Sequence, residues 1–71
     1  RSLLVSLADK VHNAQTIAED RRWGGEDIWN RFTGGREGSL WYYRELSDIF
    51  TDATPGPLSD QLRRHVQAMA E

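Results

Sequence analysis

Apolar residues in the first third of the chain recur at Leu4, Leu7, Val11, Ala14 and Ala18, with Leu3, Ala8 and Ile17 widening the stripe. Spacings of three and four residues put these side chains on one side of an α-helix, so the pattern predicts an amphipathic helix that ends near Arg22, before Gly24-Gly25. A shorter apolar group, Ile28, Trp29 and Phe32, stands between the glycine pairs 24-25 and 34-35 and predicts a short helix or turn. A third helix is expected to start between Glu37 and Ser39, with Ser39 as its cap, and to carry Leu40, Tyr43, Leu46 and Phe50 inward as far as Asp52. Thr54-Pro55-Gly56-Pro57 stops it, because proline has no N–H to continue the ladder and restrains the residue before it. The last helix opens at Pro57 or Ser59 and repeats Leu58, Leu62, Val66 and Met69 along one face. No stretch alternates with period two for long enough to be a strand. The expected fold is all-α, with three main helices and a short connecting one.

Composition narrows the function classes. The chain has 71 residues, nine Lys plus Arg against eleven Asp plus Glu, and a formal net charge of −2. It is one small domain or a piece of one, and a chain this short buries only about 60% of the surface its unfolded form exposes. With no cysteine, neither a disulfide framework nor a thiolate zinc site is open to it. Its longest apolar run, Leu3-Leu4-Val5, is far too short for a membrane span or a signal peptide, so no membrane role is expected and the location reads as cytoplasmic. Basic residues are scattered, which argues against a nucleic-acid partner. The chain opens on Arg1-Ser2 and runs straight into an apolar pattern, as a segment beginning inside a longer helix does.

The first helix carries a second row of residues. Ser6, Asp9, Asn13, Thr16 and Asp20 again follow spacings of three and four, so they line one narrow polar face. A solvated surface is the plain reading of such a row. The residue types point further, because Asp and Asn are poor choices inside a helix when solvation is the only demand. Asp is a hard oxygen ligand, and an Asn one turn on offers a donor and an acceptor to a sugar or base.

The run Ser6-Leu7-Ala8-Asp9-Lys10-Val11-His12-Asn13-Ala14 resembles the "LADKxxN" helix of the HD-domain metal-dependent phosphohydrolases, in particular the branch that hydrolyses guanosine polyphosphate alarmones. Gly25 to Phe32 and Gly35 to Tyr43 are similar to bacterial members of that group, so the resemblance covers most of the chain. It implies that Asp9 is the last protein ligand of a divalent metal, usually manganese, and that Asn13 contacts the bound nucleotide. It also implies an aromatic residue in the nucleotide pocket near the start of the third helix, a part open to Trp41 or Tyr42, with core packing as the other reading. Lys10, beside the metal position, either balances phosphate charge or pairs with a nearby carboxylate. The implied chemistry is metal-assisted hydrolysis, in which the metal makes hydroxide available near neutral pH and polarises the phosphoryl oxygen.

The departure from the family is large. Its other metal ligands are an early histidine and a His-Asp pair, followed by a Glu-Asp pair that assists the attacking water. The histidines here are His12 and His65, and neither precedes an aspartate. The chain is therefore expected to be the carboxy-terminal part of a single HD domain, inactive alone, and able to dimerise through an apolar face on its first helix. The rival reading is a degenerate HD-type helical module that binds a partner without catalysis. His12 reads as a packed or surface residue, Arg44 as a phosphate contact or an ion-pair partner of Glu45 or Asp48, and Trp23, Trp29 and Phe32 as an aromatic cluster pinning the connection. The Gly-rich stretches lack the preceding strand and the Gly-Lys-Ser/Thr ending of a phosphate loop.

Overall fold

The computed structural model describes residues 3–71, the side chain of Glu26 apart. Arg1-Ser2 and the Glu26 carboxylate lie outside the described residues. Three α-helices follow one another, α1 over Leu3–Gly24, α2 over Gly35–Ala53 and α3 over Pro57–Ala70, and a short 3-10 helix, Gly25–Arg31, joins the first two. No strand occurs among the described residues. A helix of 22 residues is about 33 Å long at 1.5 Å per residue, and α1 accordingly sets the 33 Å long dimension of the chain.

The stripes read from the sequence form the core. Leu7, Val11, Ala14 and Ile17 of α1 meet Leu62, Val66 and Met69 of α3, and Leu40, Tyr43 and Phe50 of α2 complete the cluster. α3 packs along both other helices, whereas α1 and α2 scarcely approach each other directly. The short connecting helix bridges them and contributes Ile28 and Trp29 to the core. This arrangement leaves an open groove between α1 and α2.

Several expectations need correction. Leu4 and Leu3 are 56% and 48% exposed, because nothing in the described chain lies over the first turn of α1. Ala8 is exposed as well. Trp23 is 87% exposed and takes no part in the aromatic cluster. It stands six residues after Ile17, about 240° further round the helix, so it leaves the buried side. Trp29 and Phe32 do pair, with ring centroids 6.0 Å apart. Ser39 does not cap α2; it lies buried inside the helix, which starts four residues earlier at Gly35.

Two glycines explain that earlier start. Gly35 has φ +65°, a conformation that costs an L-residue roughly 1–2 kcal/mol, and it turns the chain directly into the helix. A Cβ on Gly34 would lie 3.0 Å from the Gly38 Cα, and the Gly38 N–H donates to the Gly34 carbonyl at 3.2 Å. At the other end, the Thr54 N–H donates to the Phe50 carbonyl at 2.8 Å. Pro57 occupies the first turn of α3, where its missing N–H costs nothing, and the Ser59 hydroxyl donates to the Gly56 carbonyl at 3.0 Å. Arg36 Nη2 donates to the Ala70 carbonyl at 2.9 Å, tying the start of α2 to the end of α3 and satisfying a carbonyl that helix geometry leaves open. No helix among the described residues is long and apolar enough to cross a membrane.

Candidate functional site

The later part of the polar row of α1, Asn13, Thr16 and Asp20, faces the groove between α1 and α2, whereas Ser6 and Asp9 do not line it. This depression has a volume of about 490 Å³, and Asn13, Thr16 and Asp20 line one wall together with His12 and Ile17. Arg31 and Phe32 approach from the connecting segment, and Tyr43 forms the wall contributed by α2. The groove is mixed in character. Ile17, Phe32 and Tyr43 offer apolar and aromatic surface, while Asn13, Thr16 and His12 offer hydrogen-bonding groups.

Asp9 stands one helical turn before Asn13 on the same face. It is exposed, and its carboxylate makes no hydrogen bond or ion pair with the described residues. Its charge is felt across the gap by Tyr43, whose phenol is pushed above its ordinary value of 10.0 by burial, by neighbouring Tyr42, and by Asp9. Tyr43 thus faces Asn13 across the groove and feels the charge of Asp9.

The raised phenol implies an alkaline signature. A folded-state value above the unfolded one means that the neutral phenol favours the fold, a contribution present in full below about pH 10 and lost as pH rises through the folded-state value. Tyr43→Phe keeps the ring and removes the titration. The denaturant midpoint of the wild type should fall more steeply than that of Tyr43→Phe between about pH 9 and pH 11. Parallel loss in both proteins would assign the alkaline instability to other groups.

The remaining candidates are dispersed. Lys10 is half-buried beside Asp9 and does not line the groove. Tyr42 is 46% exposed, packs edge-on against Tyr43 with centroids 5.4 Å apart, and borders a neighbouring depression of about 290 Å³ with Phe32 and Ser39. Trp41 is 64% exposed and borders neither depression. Arg44 lies elsewhere, in a depression between α2 and α3 that it shares with Asp48 and Arg63.

For Tyr43, His12 and Arg31 the sequence pattern gives no sign of a place in the groove. The spacing of Tyr43 gives it to the core, and it is both core and groove wall. His12 falls between the apolar stripe and the polar row, so periodicity gives it to neither. Arg31 belongs to a segment too short for any period, and its partner Asp20 is eleven residues away across a turn.

The donor set for a divalent metal is incomplete. No group of three or more His, Cys, Asp or Glu that could hold a metal ion occurs among the described residues. Asp9 alone does not fit such an ion, since a metal site needs about three or more protein ligands. No protein-family model, no curated protein and no solved structure matches the chain.

Proposed function

We propose that these residues form the carboxy-terminal helical part of an HD-type phosphohydrolase acting on guanosine polyphosphates. One observation supports the reading most: Asp9 stands one turn before Asn13 on the polar side of α1, Asn13 lines the groove opposite Tyr43, and the Asp9 charge reaches the Tyr43 phenol. An exposed carboxylate without a partner among the described residues is available to an external group, and the Asn13 carboxamide offers a donor and an acceptor to a ribose or base. Asp9 supplies one ligand to a divalent ion, manganese in the family that the sequence resembles, and the other ligands come from residues outside these 71. The isolated chain is then inactive. Lys10 adds positive charge beside Asp9, and Tyr42 offers aromatic surface in the depression next to the groove. A cytoplasmic location accords with such a substrate.

The competing reading, a helical interaction module without catalysis, draws on Leu3, Leu4 and Val5, all about half exposed on the first turn of α1. The same patch is where two copies of the isolated chain would pair. Manganese-dependent release of pyrophosphate from guanosine tetraphosphate by the full protein separates the two. Turnover supports the hydrolase. A folded protein that is silent with guanosine tetraphosphate and with a panel of other nucleotides supports the interaction module.

A further inference from the structure

We propose that Arg31 is the phosphate-binding, specificity-determining residue of the groove between α1 and α2, held in place by Asp20 until a ligand arrives. The inference rests on the nucleotide reading above and goes beyond it, since Arg31 is not in the polar row and the resemblance, although its second stretch includes Arg31, gives that residue no role.

The geometry is specific. Arg31 ends the connecting helix, and its Nη2 donates to Asp20 Oδ2 of α1 at 3.0 Å. The guanidinium carbon lies 5.9 Å from the ring centroid of Phe32, within cation–π range of an aromatic that also lines the groove. Arg31 is the single Lys or Arg among the residues lining this groove. A polyphosphate entering it meets no other Lys or Arg among the described residues of the lining, while Asn13, Thr16 and His12 supply further hydrogen-bonding groups.

Stability does not account for this placement. The two side chains are 58% and 43% exposed, and pairs of that kind add little to a fold. The bond to Asp20 uses one N–H of a guanidinium that carries five, and a planar fork suits the paired oxygens of a phosphate. Asp20 therefore acts as a placeholder that orients the fork toward the groove. A phosphate dianion, more highly charged than the carboxylate, takes over the guanidinium when it binds.

Calorimetric titration of the full protein with guanosine tetraphosphate and with guanosine, without added metal, tests this. Arg31→Gln should weaken guanosine tetraphosphate roughly tenfold or more and leave guanosine unaffected, because a charge-assisted hydrogen bond to phosphate is lost. Arg31→Lys should recover part of the affinity. Asp20→Asn frees the guanidinium and should leave guanosine tetraphosphate binding equal or tighter. Wild-type affinity in Arg31→Gln would overturn the role of Arg31. So would equal weakening in Asp20→Asn and Arg31→Gln, or equal weakening of both ligands, since each is what a simple strut between α1 and the connecting helix predicts. A wild-type protein that binds neither ligand would overturn the nucleotide reading and this inference together.

Discussion

Asp9→Ala in the full protein is expected to reduce hydrolysis of guanosine tetraphosphate by more than about a hundredfold, the upper range for disturbing even an outer partner of a metal ligand. The fold should not suffer. Asp9 is exposed and its carboxylate has no hydrogen bond or ion pair with the described residues, and surface substitutions of that kind usually change stability by no more than about 0.5 kcal/mol. Alanine is also the better helix former by up to about 0.7 kcal/mol, so a small gain in thermal stability is the expected direction. Activity and stability therefore separate at this position. Steady-state kinetics beside a thermal melt reads both. Retained activity would remove Asp9 from the site, and a large drop in melting temperature would show that it serves the helix instead.

The largest effect on stability is expected at Leu62, fully buried on the helix that packs along both α1 and α2. Leu62→Ala removes a buried isobutyl group from the centre of the cluster and should cost about 2–5 kcal/mol. A chain of this size has a total stability of only about 4–10 kcal/mol on the usual per-residue scale, so the variant should be partly or wholly unfolded near physiological temperature. Leu4→Ala makes the same chemical change at a position that is 56% exposed, and it should be nearly silent. Denaturant titration of the two variants side by side checks the assignment of the core. Similar losses in both would mean that the first turn of α1 is covered in solution, as it would be in a dimer.

Much of the fold was legible because helical periodicity reports which residues share a face. Leu7, Val11 and Ala14, then Leu40, Tyr43 and Phe50, then Leu62, Val66 and Met69, are apolar at helical spacing and are buried. Periodicity does not report whether another element lies over that face. Leu3 and Leu4 fit the stripe of α1 and are nonetheless exposed, because the partner they would need is not among the described residues. The start of α2 at Gly35 departs from the capping pattern for a different reason. Ser39 is a good cap by residue type, but the positive φ of Gly35 and the close approach of Gly34 to Gly38 allow the helix to begin a turn earlier. The candidate site was legible along one helix and illegible across helices. The polar row of α1 follows from spacing alone, whereas the arrival of Tyr43 and Arg31 opposite it depends on how α3 and the connecting helix hold α1 and α2 apart.

That polar row carries the functional proposal, and manganese binding to the full protein tests it most directly. Equilibrium dialysis of wild type and Asp9→Ala, with helicity and melting temperature recorded on the same samples, isolates the ligand role. Tight binding by the wild type, weakened by at least about tenfold in a variant that melts normally, is the predicted result. Equal manganese binding by the two folded proteins would contradict it.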